Sequence, residues 1–241
     1  MLPFLTTNQT APPLISALAY ALMISLVVLS IYGAVKYHDN PSFVKTFKWI
    51  QFVQLLALYA WYIGFRLPLA NSLPLYHCRL AMFAMIFLPN KWKIKQYFAL
   101  LGASGAIFAL GYPVFDPYDF PHITSFSFLI GHYALLVNSL IYLFNHYDKR
   151  LLKKVEIIAY TLMLNLFLVG VNQVTGGNYG LLARPPFISG DNLLINYSLV
   201  SFILILALLL FDELFKRNIF KRKLFRRKRS AREGLKRSRF L

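Results

Sequence analysis

The chain has 241 residues, 58% of them hydrophobic and only 15% charged, with 26 Lys and Arg against 9 Asp and Glu. A soluble domain carries about 25% charged residues and rarely exceeds about 50% apolar content, so an ordinary soluble fold is excluded. Thirteen of the 26 basic residues follow Phe211 and ten more sit in three short loops, which reads as membrane topology and leaves no basic face for nucleic acid.

In chain order, Met1 to Pro13 lacks a basic n-region, and the apolar block after it is too long for the h-region of a cleavable signal. That block is expected to remain as a helix. A spanning helix takes about 20 predominantly apolar residues. Seven blocks qualify: Leu14–Val35, Trp49–Phe65, Ser72–Leu88, Tyr97–Tyr112, Thr124–Phe144, Val155–Thr175 and Asn192–Phe211, the third and fourth being short. The expected fold is all-α, a polytopic membrane protein with about seven transmembrane helices.

Lys and Arg in the loops set the orientation. Lys36, Lys45, Lys48, Lys91, Lys93, Lys95, Lys149, Arg150, Lys153 and Lys154 lie on the odd-numbered connections, against Arg66 and Arg184 on the even ones. This bias predicts an outside N-terminus and a cytoplasmic C-terminus, in the cell membrane. Residues 1–211 form the transmembrane domain and 212–241 a basic tail. Phe211, Leu214, Phe215, Ile219, Leu224 and Phe225 recur in the tail at roughly helical spacing with Lys and Arg between them. Such a segment lies on anionic inner-leaflet lipids or serves as a positive-inside anchor, with Arg226 to Leu241 disordered.

Polar groups inside spans face the bundle interior and mark function. At 1.5 Å per residue, Cys78 sits about 9 Å below the outer surface and His132 about 12 Å below it. Asn172 and Gln173 close the sixth span on the same side, with Asn178 and Tyr179 in the loop that follows. A thiol and an imidazole at one depth are a candidate nucleophile and base. The plainer readings are an apolar filler for Cys78 and a helix-to-helix hydrogen bond for His132. His77 points about 100° away from Cys78 around the helix and is a candidate for the aqueous rim or a substrate headgroup. Arg79 must find a carboxylate, carbonyl, water or lipid phosphate, or snorkel to the interface. Gln54, Asn138 and Asn165 read as hydrogen bonds that join helices.

Gly102-Ala103-Ser104-Gly105 resembles the Gly-x-Ser-Gly of rhomboid intramembrane serine proteases, which would make Ser104 a rival nucleophile. The same small residues also match close helix packing. Cys78 is the only cysteine, so no internal disulfide or cysteine-rich zinc site is expected. No metal or cofactor is implied. The absence of carboxylates within the spans disfavours an ion-driven transporter.

Leu73-Pro74-Leu75-Tyr76-His77-Cys78 resembles the Leu-Pro-Leu-x-x-Cys segment of the YwaF-like bacterial integral membrane proteins. Gly131-His132 resembles the histidine-bearing fifth helix of that family, and Gly177-Asn178-Tyr179 with Arg184-Pro185 its Asn-Tyr…Pro loop. The family is related to transmembrane protein 164, which resembles a lipid acyltransferase. The resemblance implies Cys78 as an acyl-accepting nucleophile, His132 as its base, and Asn178 and Tyr179 as residues that shape the site. The expectation is a membrane-embedded acyltransferase or transacylase acting on glycerolipids, with His77, Arg79, Asn172, Asn178 and Tyr179 binding substrate and membrane lipids as both substrate and solvent. The alternative is a non-enzymatic scaffold or regulator acting through the basic tail.

Overall fold

The computed structural model describes residues 3–186 and 192–217. Ile219, Leu224, Phe225 and the segment from Arg226 to Leu241 therefore lie outside the described residues.

Among the described residues eight α-helices follow in order: α1 (Ala17–Tyr37), α2 (Pro41–Gly64), α3 (Leu69–Ser72), α4 (His77–Phe87), α5 (Lys93–Gly111), α6 (Ile123–His146), α7 (Lys154–Thr175) and α8 (Leu193–Lys216). Several begin on side-chain caps that absorb otherwise orphaned N–H groups. Ser16 accepts from Ala19 N at 3.2 Å, Asn40 accepts from Phe43 N at 3.1 Å ahead of Pro41, and Asn192 accepts from Leu194 and Ile195 N at 3.1 Å. Glu156 in the first turn of α7 reaches back to Lys153 N at 2.7 Å.

Five helices, α1, α5, α6, α7 and α8, are long and apolar enough to cross a membrane. Two of the seven expected spans do not reach that standard. Helix α2 has 24 residues but is less apolar, because it carries Lys45 and Lys48 on its exposed side and Gln51 and Gln54 buried in the bundle. The expected single helix over Ser72–Leu88 is instead the short turn α3, an extended stretch over residues 73–76, and α4 of 11 residues. At 1.5 Å per residue α4 is only about 16 Å long. Pro74 has no N–H to give to a helix and pushes Leu73 into the extended region. Irregular backbone at membrane depth survives only where protein shields it or where it lines a cavity, and this stretch does line one, as described below.

Helix α6 is the axis of the bundle, packed on α1, α2, α4 and α5. Helices α7 and α8 pair with each other, and α8 closes against α5. The basic connections gather at one end. There Lys93 pairs with Glu156 at 2.8 Å, Lys154 with Glu213 at 3.2 Å, and Asn145 Nδ2 donates to His38 O at 2.8 Å. At the opposite end the N-terminal segment crosses the bundle: Thr10 N donates to Pro117 O at 2.8 Å and Trp61 Nε1 to Leu5 O at 3.2 Å. Helix α8 runs to Lys216, five residues beyond Phe211, the expected end of the last span. Asp212 is fully buried there, held by Tyr147 OH at 2.7 Å and Lys216 Nζ at 2.6 Å.

Candidate functional site

The extended stretch ends on α4, whose first residues are His77, Cys78 and Arg79. Tyr76 is the N-cap and supplies no side-chain cap. The N–H groups of His77, Cys78 and Arg79 make no hydrogen bond among the described residues, so three donors sit beside the thiol. These three side chains, with Tyr76, line a cavity of about 490 Å³. Such a size is typical of small-molecule sites.

The same cavity is lined by His132 of α6 and by Ser104 and Gly105 of α5. A Cβ at Gly105 would lie 3.2 Å from Cys78 Sγ, so the thiol occupies the space that glycine leaves. Gly102 plays a different part: a side chain there would strike Ser139 and Leu135 of α6. The small-residue run is a close helix contact. Ser104 Oγ donates to Leu100 O of its own helix at 2.8 Å, and no imidazole is bonded to it among the described residues. Ser104 shares the cavity with His132, but its hydroxyl is spent on its own helix.

His132 Nδ1 lies 2.7 Å from Phe128 O. A carbonyl only accepts, so Nδ1 carries the proton and Nε2 keeps its lone pair. Nε2 has no hydrogen-bond partner among the described residues. The thiol and the imidazole are not bonded to each other; both line one cavity. Apo sites often hold such pairs apart until substrate arrives.

His77 is committed elsewhere. Its Nε2 lies 2.7 Å from Asn165 Oδ1, and Asn165 Nδ2 donates to Ser201 Oγ at 2.9 Å. This chain ties α4 to α7 and α8. Gly180, at φ +69°, lies against the same ring: a Cβ there would meet His77 Cε1 at 2.8 Å. Asn165 therefore does join helices, and one of the groups it holds is the neighbour of the thiol.

Arg79 Nη2 donates to Tyr62 OH at 2.9 Å, and its guanidinium lies over the rings of Tyr62, Tyr76 and Tyr59 at 5.2, 5.6 and 5.8 Å. This cation–π cage keeps the charge at the cavity wall. Asp116, in the connection after α5, lines the cavity too. Burial pushes its carboxyl up from the ordinary carboxylate range, and the Arg79 and His122 charges work against that rise. Among the described residues no carboxylate lies within ion-pair distance of Arg79.

Asn172 and Tyr179 do not line the cavity. Tyr179 N donates to Asn172 Oδ1 at 2.7 Å and Asn172 Nδ2 to Tyr179 O at 2.9 Å, closing the loop after α7. The Tyr179 hydroxyl donates to Leu69 O and accepts from Leu73 N at 2.9 Å. That loop thus clamps the stretch that delivers Cys78. Asn178 reaches the cavity, but its amide is engaged with Ala183 N, Arg184 N and Arg184 O, each at 3.0 Å. The residues read as substrate ligands in this loop are supports for the site. Gly105 and Asp116 are what sequence reasoning passed over. Gly105 was read as part of a serine motif or as helix packing, not as the seat of the thiol, and a loop aspartate carries no signal of where it folds.

Away from these polar groups the cavity is apolar. It extends along α8 past Val200, Leu204, Ala207 and Phe211, about 16 Å of helix at 1.5 Å per residue. One end is therefore polar and cationic and the other is a slot for hydrocarbon. Among the described residues no cluster of His, Cys, Asp and Glu has the makings of a metal site.

No curated protein and no solved structure matches the chain. The family model of the TMEM164 family matches residues 4–212. With that match and five helices fit to cross a bilayer, the protein is a multi-pass helical membrane protein, and the chain belongs to the TMEM164 family.

Proposed function

We propose that the protein transfers acyl chains between glycerolipids through a thioester on Cys78, working from the outer leaflet. The observation that carries this reading is the shared cavity. Cys78 and a histidine with its Nε2 free line one space that has a cationic rim and a hydrocarbon slot. A lipid ester has the same three parts.

The chemistry balances with these groups. His132 Nε2 takes the thiol proton as Sγ attacks the ester carbonyl carbon. The proton passes in step with attack. The carbonyl oxygen gains charge opposite the free N–H groups at the start of α4, which stabilise it. The C–O bond then breaks, the departing alkoxide takes the proton from His132, and the acyl group remains on Cys78. An incoming lipid hydroxyl reverses the steps, leaving its own proton on His132 and then on the sulfur. Water in place of that hydroxyl makes the same site a hydrolase.

The test uses purified protein in phosphatidylcholine vesicles with an alkyne-tagged acyl donor. Wild type is expected to form a hydroxylamine-labile adduct on Cys78 and to pass the chain to a lysolipid. Cys78→Ser forms no thioester, and His132→Ala is slower by about 10²–10⁴-fold, the usual contribution of a positioned base. A folded wild type with no adduct, or a His132→Ala variant that matches it, removes the reading.

A further inference from the structure

The cavity has a neighbour on the lipid-facing surface. A groove of about 810 Å³ runs between α2 and α6, walled by Trp49, Val53 and Ala57 on one side and by Phe126 and Ile130 on the other. Trp49 and Val53 are more than half exposed, at 56% and 55%, so the groove opens toward hydrocarbon. Two residues, Gln54 and Ser127, line both the groove and the cavity.

These two side chains are the partition. Ser127 Oγ donates to Gln54 Oε1 at 2.8 Å. On its other side Gln54 Nε2 reaches, among the described residues, only the thioether of Met82, at 3.6 Å. A thioether is a weak acceptor, so one ordinary hydrogen bond holds the amide across the opening. A glutamine amide in an otherwise apolar wall is a costly choice for mere packing. It suits a barrier that must swing.

We propose that the Gln54–Ser127 pair is a lateral gate, through which one long acyl chain of a membrane lipid passes between the α2–α6 groove and the buried cavity. The occupant is an acyl chain because the groove is largely apolar from Trp49 to Ile130, with Ser42, Lys45 and Thr46 only where α2 begins, and adjoins a cavity that already holds a hydrocarbon slot. The proposal rests on the reading that this cavity takes lipid, but its test requires no turnover.

Cys78 is the only cysteine in the chain, so alkylation reports arrival at the cavity directly. Protein in phosphatidylcholine vesicles is treated with N-hexadecylmaleimide, which partitions into the bilayer, or with N-ethylmaleimide from water. Ala57→Trp and Val53→Trp fill the groove at positions that do not line the cavity, and Gln54→Ala removes the partition. Leu166→Trp, on the exposed face of α7, is the control. The groove-filling variants are expected to slow hexadecyl labelling at least tenfold while ethyl labelling stays within twofold. Gln54→Ala speeds hexadecyl labelling severalfold, and the control changes neither. Hexadecyl rates that are unchanged in both tryptophan variants, or that fall in parallel with the ethyl rates, overturn the gate. So does a wild type that reacts with the ethyl probe alone. Gated labelling without any acyl-thioester from lipid leaves the gate standing and removes the acyl-transfer chemistry.

Discussion

Gly105→Ala perturbs the thiol without touching either residue of the proposed pair. The added Cβ lies 3.2 Å from Cys78 Sγ. Relaxed carbon contacts fall at about 3.5–4.0 Å, and sulfur is no smaller, so the thiol or its helix yields by about 0.5 Å. Misplacing a reacting group by about 1 Å costs about 100-fold in rate, which puts Gly105→Ala near a tenfold loss. Gly105→Val, with two further carbons at the same place, is expected to lose about 100-fold on the same scale. Overpacking of this kind also costs about 1–3 kcal/mol of stability. For a domain of this size that is a fall in Tm of about 2–4 °C per kcal/mol, which leaves the protein folded at 25 °C.

The assay is the rate of hydroxylamine-labile adduct formation on Cys78 in vesicles, with Tm measured on the same preparation. Gly102→Ala is the matched control, three residues earlier on α5, where the new methyl meets Ser139 and Leu135 instead of sulfur. It is expected to lower Tm at least as much while keeping the rate within about threefold of wild type, since the thiol is not displaced. Full activity in a folded Gly105→Ala, or rate losses that merely track Tm in both variants, refutes the idea that the position of the sulfur against α5 matters.

Asn165→Leu leaves His77 and Ser201 without their shared partner. Interhelical hydrogen bonds in membranes average about 0.6 kcal/mol and reach about 1.7, so the two together predict a Tm drop of several degrees and slower thioester formation, read by melting and adduct assays. Tyr179→Phe strips the hydroxyl from Leu69 O and Leu73 N. An unsatisfied buried N–H costs about 1–3 kcal/mol, and a Tm equal to wild type would show that the clamp ahead of α4 contributes nothing. Arg79→Gln removes the cation from the cavity rim. A hydrogen bond to a charged group is worth about 1.5–3 kcal/mol, or about 10–100-fold in kcat/KM, so anionic donors should lose that advantage over a neutral donor such as diacylglycerol. Arg79→Lys keeps the charge but loses the flat face that lies over three tyrosine rings, and should recover only part of the preference.

Much of the architecture was legible in the chain itself. Apolar blocks of membrane-crossing length announce helices because unpaired backbone groups are too costly in hydrocarbon for any open alternative. The alternation of lysine-rich and lysine-poor connections anticipates the gathering of Lys93, Lys154 and their partners at one end. The third block is where that reading failed. Its hydrophobicity suggested a helix, while Pro74, which has no N–H to give and holds Leu73 extended, keeps residues 73–76 out of it. At the far end, hydropathy marked α8 as ending near Phe211, yet Asp212 continues the helix because Tyr147 and Lys216 bind its carboxylate.

A count at about 1.5 Å per residue put Cys78 and His132 at similar levels. For Cys78 it assumed a helix over residues 73–76 that is absent; what the structure shows is that both line one cavity. Azimuth was not legible. Each residue turns about 100° around its helix, and which helix faces which is decided by packing between segments far apart in sequence. Only the tertiary structure could therefore turn His77 to Asn165, seat the thiol on Gly105, bring Asp116 to the cavity that Arg79 lines, and set Gln54 against Ser127 across a sequence separation of 73.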